Sequence, residues 1–401
     1  MSFVWRPEGP VDDPSLWTTV SNATTPETLR EEARLEPLVP DAVWYRSLPL
    51  SRRVRAIYSF SSRARPTREA TAEVWKEYMD RLVPDPLNSR TLRFPNDPED
   101  PTDVPVTVSV LELPDAPSER WSRSLRPEEA LPERQHLPSR ILRGDRSVWV
   151  SLPNDFDPDV RPYNLLIVLD GFTYLHAVPT PRIVQNLVAA GRIGPTVTVL
   201  VGNPSPVRNQ ELDCNPKFAR FLSRELLPWM RRRYGLTVPG RRTVVAGSSA
   251  GGLAAAFAAM QYPTNFGNVL AQSGAFMWSP AAGGTEPEWL IREFARARRL
   301  PVEFYLDAGT YEGTNGPDGA VSILTSVRHL RDVLRSKGYS VSYAEFEGGH
   351  DYSCWSVTLA DGLIHLLGKP EPPGRDRAKP RRATRGTRAL AAIPAPRSKR
   401  T

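Results

Sequence analysis

The stretch Arg242-Thr-Val-Val-Ala-Gly247-Ser248-Ser249-Ala250-Gly251-Gly252-Leu253-Ala-Ala-Ala-Phe257 decides how the rest of the chain is read. A β-branched apolar run gives way to Gly-x-Ser-x-Gly and then to a string of helix formers. Strand, sharp turn and helix are the setting that a nucleophile elbow requires. Gly247 and Gly251 leave room for the tight turn that lifts the Ser249 side chain above a sheet. The following helix opens with the Ala250 N–H and a positive dipole end, both suited to an oxyanion. Ser248 is the rival hydroxyl, but it stands at the first x position and is expected to point elsewhere.

Outward from this motif the same texture repeats. Strand-like runs are expected at Arg146–Leu152, Leu165–Leu169, Thr196–Val201, Thr243–Ala246, Asn268–Ala271 and Val302–Leu306. Helical patterns follow at Pro181–Ala190, Lys217–Tyr234, Ala250–Gln261, Glu288–Arg298, Val321–Lys337 and Val357–Leu367. Near-continuous apolar strands, each followed by a helix, indicate an α/β fold with a mainly parallel sheet covered on both faces. Such sheets carry their chemistry at the carboxyl ends of the strands.

A serine nucleophile needs a base, and the chain has five histidines. In this architecture the acid and then the histidine follow the serine. His136 and His176 precede it, while His329 and His365 fall inside amphipathic helices. His350, in Glu347-Gly-Gly-His350-Asp351, directly follows the strand-like Val341–Phe346 and is the expected base. The orienting acid should lie on the loop after Val302–Leu306. Glu312 is favoured, Asp318 is the alternative, and Asp307 stands closest to the strand end. A second oxyanion donor is expected near Gly171 and Phe172, where Asp170 reads as a structural turn acid. Arg208, on an expected loop after Thr196–Val201, could grip an anionic substrate or pair with Glu211. Trp278 and Tyr174 are either stacking platforms or core aromatics.

Ahead of this unit, residues 1–120 are rich in Pro and charge, with short strand-like runs at Phe3–Trp5, Val43–Tyr45, Val54–Phe60 and Val104–Leu111. A helical stretch, Glu69–Leu82, interrupts them, and the polar, Pro-rich segment 112–140 reads as a linker. The division expected is a β-rich domain at 1–125, a catalytic α/β domain at 126–370 and a basic, disordered tail at 371–401. The tail holds ten Arg or Lys against Glu371 and Asp376, a net of +8, so the other 370 residues of this +7 chain sum to about −1. The basic balance is therefore no argument for a nucleic-acid partner. No apolar run approaches the ~18 residues that a membrane span needs. MSFVWRPEGP lacks the pattern of a signal peptide, and two cysteines make no disulfide framework. A soluble, cytoplasmic protein is expected. No histidine–carboxylate cluster has metal-ligand spacing, so no metal or other cofactor is expected.

Several stretches carry a resemblance beyond these readings. They are Phe3-Val-Trp-Arg6, Tyr58-Ser-Phe60, Asp85-Pro-Leu-Asn88, Ser109-Val-Leu-Glu112, Arg146-Ser-Val-Trp149, Leu169-Asp-Gly171, Arg208-Asn-Gln-Glu211-Leu, Cys214-Asn215, Glu225-Leu-Leu-Pro228, Gln272-Ser-Gly274 and Gly348-Gly-His350-Asp, besides the elbow itself. In that order, over about residues 1–370, the chain resembles the enterochelin (ferric enterobactin) esterase family together with that family's N-terminal domain. The resemblance implies an α/β-hydrolase fold and hydrolysis of the trilactone of 2,3-dihydroxybenzoyl-serine, with iron released inside the cell. The elbow has Ser-Ser-Ala where relatives often carry Gln-Ser-Phe, so the siderophore could differ from enterobactin. Two other readings stand beside the esterase. One is an acyl-transferring or esterase relative acting on another natural-product ester. The other is a non-catalytic siderophore-binding module.

Overall fold

The computed structural model describes residues 1–368 apart from residue 24 and the stretches 68–69, 101–102, 124–130, 160–161, 281–285 and 315–320. The expected tail, 371–401, lies outside the described residues. Met1–Gly368 hold together as one compact unit.

The N-terminal part is two antiparallel sheets of short strands. β1 (Ser2–Trp5), β4 (Val43–Ser47) and β3 (Glu36–Val39) form a three-stranded sheet in that order. β2 (Ser15–Thr18), β5 (Arg55–Ser61), β7 (Val106–Glu112) and β6 (Thr91–Phe94) form a second of four. Two helices, α1 (Pro26–Ala33) and α2 (Ala72–Asp80), interrupt the strands. β5 is buried along its whole length and joins Phe3, Trp5, Leu16 and Leu35 in one core.

The second part is one eight-stranded sheet in the order β15-β14-β13-β12-β10-β11-β9-β8. β8 (Arg134–Ser139) and β9 (Gly144–Ser151) form an antiparallel edge against β11 (Thr196–Val201). The other pairings, among β10 (Asn164–Val168), β11, β12 (Thr243–Ser248), β13 (Asn268–Gln272), β14 (Glu303–Gly309) and β15 (Ser340–Phe346), are parallel. Side chains alternate between the faces of a strand. Ile167, Val199, Val245 and Phe304 therefore meet one helical layer, and Leu166, Leu200, Val244 and Tyr305 meet the other. The first layer contains α6 (Pro216–Phe221), α7 (Leu227–Tyr234), α8 (Ala250–Gln261), α9 (Trp289–Arg296) and α10 (Ile323–Ser336). The second is made by α3 (Gly171–His176), α4 (Thr180–Ala189) and α11 (Tyr352–Leu367). α5 (Ser205–Leu212) leads from β11 into α6.

The structure corrects four expectations. The end of the expected linker is strand β8, whose Pro138 is tolerated because β8 is the sheet's edge. Arg208 lies on helix α5 rather than on a loop. The helix expected at Lys217–Tyr234 contains a π turn at Leu222–Leu226, and there Glu225 accepts from the Arg140 and Ile141 N–H groups. α11 starts at Tyr352 rather than Val357, because Asp351 caps it by accepting from the Cys354 N–H at 3.1 Å. No described helix is long and apolar enough to cross a membrane.

Candidate active site

The carboxyl ends of β12, β13, β14 and β15, adjacent in the sheet, carry the residues that the sequence singled out. Ser249 sits between β12 and α8 at φ 55° and ψ −123°, a strained conformation for a residue with a side chain. The turn is held by Ser249 N–H donating to the Gln272 carbonyl at 3.0 Å and by Ala275 N–H donating to the Ser249 carbonyl at 2.9 Å. Gly247 is required: a Cβ there would stand 2.6 Å from the Gly251 carbonyl carbon. The Ala250 N–H, first in α8, has no carbonyl four residues behind it within the helix. Ser248 is buried in β12, whereas Ser249 is half-buried and reachable.

His350 follows β15, and its Nδ1 lies 2.5 Å from Glu312 Oε1. The Glu312 side chain is 2% exposed and the imidazole 37%. Glu312 gathers two further donors on Oε2, the Ser273 hydroxyl at 2.7 Å and the Gly309 N–H at 2.5 Å. Ser273 in turn accepts from the Trp355 indole at 3.1 Å, and the Trp355 ring packs edge-on against the imidazole at 4.8 Å. With Nδ1 directed at a carboxylate, the imidazole's Nε2 is left as the atom able to take a proton. No hydrogen bond joins Ser249 Oγ to His350 among the described residues.

Of the other acids, Asp318 lies outside the described residues, and Asp307 does not meet the imidazole. Asp307 is fully buried in β14. Its Oδ1 accepts from the Ser273 N–H at 3.2 Å, and its Oδ2 meets no hydrogen-bond partner within normal reach among the described residues. Burial pushes its carboxyl up to about 8, with the nearby Glu312 charge adding to the rise. The two neighbouring carboxyl groups are therefore held differently: Glu312 collects three donors, and Asp307 accepts from the Ser273 N–H.

On the other flank, Asp170 ends the chain leaving β10 in a left-handed conformation (φ 55°, ψ 44°), and Gly171 and Phe172 open α3 behind it. Arg208 grips the Asp170 carboxylate with both Nε and Nη2, at 2.6 and 2.7 Å. Burial disfavours the guanidinium charge, but the Asp170 carboxylate outweighs it and holds Arg208 above its ordinary value. The expected Arg208–Glu211 pair is not formed. The bidentate contact is made inside the protein, and Glu211 pairs with Arg146 instead.

The Arg208–Glu211 spacing has a purpose that sequence reasoning missed. Asn203 donates to Glu211 at 2.8 Å and accepts the Asp170 N–H at 3.1 Å. One turn of α5 thus secures Asp170 twice, by its side chain and by its backbone. Asp170 Oδ2 lies 3.2 Å from where a Cβ on Gly251 would stand, so this corner adjoins the elbow. Tyr174 is buried and donates to Gln272 at 2.8 Å, and Trp278 is half-buried with its ring edge-on to Trp289. Among the described residues no group of three or more His, Cys, Asp or Glu is placed to hold a metal ion.

Residues 139–366 match a family described as putative esterase, and residues 1–122 match one described as enterochelin esterase, N-terminal. The iron(III) enterobactin esterase of Escherichia coli (strain K12) is 28% identical over 384 residues, covering 91% of this chain and 90% of that protein. The crystal structure of ferric enterobactin esterase from Salmonella typhimurium superposes with a TM-score of 0.73 at 28% identity, covering 91% of this chain and 92% of that one. The enterobactin esterase from Shigella flexneri, solved in the presence of enterobactin, gives 0.72 at 25% identity over the same shares.

Proposed function

Since the chain belongs to the putative esterase family, with an enterochelin esterase N-terminal part ahead of it, we propose that it is a serine esterase of catecholate siderophores. Its substrate class is a trilactone such as enterobactin, apo or ferric, whose esters it cleaves so that iron is released in the cytoplasm. The observation that carries this reading is the Glu312–His350 pair at the same sheet end as the strained Ser249 turn, in a fold shared with esterases of that substrate.

Ser249 Oγ attacks a serine-ester carbonyl carbon while His350 Nε2 takes the hydroxyl proton. The negative oxygen of the tetrahedral intermediate is held by the Ala250 N–H and by the N–H groups at Gly171 and Phe172. Collapse expels the serine alkoxide of the substrate, to which His350 returns the proton. Water then attacks the acyl-enzyme by the same route and frees Ser249. Glu312 keeps Nδ1 protonated and stabilises the imidazolium. Arg208 acts through Asp170: it fixes the corner from which the Gly171 and Phe172 amides point. The parts 1–125 and 126–370 work as two modules of one enzyme, the second carrying the nucleophile and base.

The test is to incubate the purified protein with apo and ferric trilactones and identify the fragments by mass. Linear trimer, dimer and monomer are expected, and Ser249→Ala loses hydrolysis by several orders of magnitude. Unchanged turnover in that variant rejects the assignment. Transfer of the acyl group to added alcohols would favour the transferase, and binding without cleavage the carrier.

A further inference from the structure

The loop that carries His350 is not held by the α/β part alone. Four contacts tie it to β2 and β5 of the N-terminal sheet. The Thr19 hydroxyl, just past β2, donates to Asp351 Oδ2 at 2.6 Å and accepts the Ile57 N–H at 3.4 Å. The Arg55 N–H donates to the Glu347 carbonyl at 3.1 Å, and the Cys354 thiol donates to the Arg55 carbonyl at 3.2 Å. Gly349 lies so close to this sheet that a Cβ on it would stand 1.8 Å from the Thr19 carbonyl oxygen.

Asp351 is the hinge of this arrangement. It is 1% exposed, and its Oδ1 is committed to α11, accepting from Ser353 Oγ at 2.5 Å and Cys354 N–H at 3.1 Å. Its Oδ2 is the acceptor of the Thr19 hydroxyl. A buried carboxylate oxygen that loses its donor bears a desolvation cost, and the segment carrying it relaxes to recover one. That segment includes His350, the preceding residue. An imidazole must stay within hydrogen-bond reach of both its partners, and a 1 Å misplacement in such a site costs about 100-fold in rate.

We infer that Thr19 is a positioning residue for the His350 base: acting through Asp351, it fixes the backbone from which the imidazole reaches Glu312. The inference rests on the reading of Ser249 and His350 as nucleophile and base. It makes the N-terminal part a component of the proton-transfer geometry, whatever contact that part has with substrate.

The charged groups around the imidazole are Glu312 on the loop after β14, Asp307 in β14 behind it, and Glu347 and Asp351 on its own loop. From β5 comes Arg55, whose guanidinium pairs with Glu112 and Glu119. Glu312 is the carboxylate bonded to the ring. Loosening that bond weakens the hold of the carboxylate that stabilises the imidazolium formed as His350 takes the Ser249 proton.

The experiment compares the full-length wild type with Thr19→Val, which is nearly isosteric and lacks the hydroxyl, and with Thr19→Ser, which keeps it. Trilactone hydrolysis is followed from pH 5 to 9, and Ser249 labelling by a fluorophosphonate is timed alongside. Thr19→Val is expected to lose about 10- to 100-fold in kcat with KM little changed. Its labelling slows in proportion, and Thr19→Ser returns both. The end point of labelling counts the competent sites, so kcat per labelled site does not depend on the amount of folded protein. Thr19→Ala gives the same reading should Thr19→Val not fold.

A Thr19→Val enzyme with wild-type kcat overturns the inference, as does a loss of activity that tracks only the number of labelled sites. A wild type that never cleaves trilactone, yet labels at Ser249, defeats the proposed substrate instead and leaves the labelling rates to decide on Thr19.

Discussion

The two flanks of the cleft are built by different means. On the elbow side, Ser249 is placed by residues next to it in sequence and by backbone bonds to Gln272 and Ala275, and one helical turn, Arg208 to Glu211, locks the Asp170 corner. On the relay side, Glu312 and His350 come from loops after different strands, meet only through tertiary packing, and are braced by Ser273, Trp355 and Thr19. The turn of the proposed nucleophile is set chiefly by its own sequence, whereas the proposed base and acid are brought together only by packing. Damage to the first should show in stability, damage to the second in turnover and its pH dependence.

Glu312→Gln breaks the relay side hardest. The Gln carbonyl would keep the two donors, Ser273 and Gly309, and present its amide N–H₂ to His350 Nδ1. The ring is then forced into the tautomer that carries its proton on Nε2, where it cannot accept one from Ser249. A drop of about 10³- to 10⁴-fold in kcat is expected, with little change in the melting temperature. Steady-state kinetics beside a thermal melt checks both halves.

Arg208→Ala attacks the elbow side and should behave in the opposite way. It leaves the Asp170 carboxylate, whose side chain is 4% exposed, without its bidentate partner. Because the Arg208 side chain is itself 28% exposed, water can reach the vacated site, and the cost falls below the about 3–5 kcal/mol of a fully buried broken pair. Chemical denaturation should show a loss of about 2 kcal/mol. Retention of wild-type stability would mean that the corner is held by Asn203 alone.

This asymmetry also governs what could be read beforehand. Gly247, Ser249 and Gly251 are neighbours in sequence, so their turn and its helix were legible, as was His350 directly after a strand. Glu312 was one of several carboxylates on its loop, and only packing distinguishes it by the donors it collects. The Arg208–Asp170 pair could not be read, since it joins positions 38 apart through a helix whose Pro-led, polar sequence resembles a loop. Prolines dominate the surroundings of β8, so its sequence reads as part of a linker. Nothing in Thr19 or Ser273 as isolated residues marks them, because their roles exist only across β-sheet neighbours.

Asp307 sharpens the contrast between the carboxylates on the relay side. Its carboxyl, raised by burial to about 8 from an ordinary 3.8, keeps its proton in the folded state where the unfolded chain has lost it. Folding stability therefore declines as pH rises from about 4 to about 8 and levels off above, by on the order of a few kcal/mol. Asp351 and Asp361, also raised by burial, add to the same slope. Asp307→Asn should flatten the slope without abolishing it, as read from denaturant midpoints at pH 5 and pH 8. An unchanged slope would show that Asp307 ionises freely.

The smallest expected effect tests whether the two flanks are coupled at all. Ser273 follows β13, the strand beside β12, and its backbone N–H donates to the Asp307 carbonyl at 3.0 Å while its hydroxyl serves Glu312 and Trp355. Among the described residues it is the one side chain that links the strand next to the elbow with both the acid and the ring that packs on His350. Ser273→Ala withdraws one of the three donors on Glu312 and leaves the buried Trp355 N–H without an acceptor. Two donors remain on the carboxylate, so the loss in kcat should be about tenfold, well short of the Glu312→Gln effect. Thr cannot serve as the conservative rescue, because Ser273 has φ 47°, a conformation costly for a β-branched residue. A loss near that of Glu312→Gln would mean that the acid is held chiefly from the elbow side and that the two flanks are one structure. No loss would mean that the relay is braced from α11 and the N-terminal sheet alone.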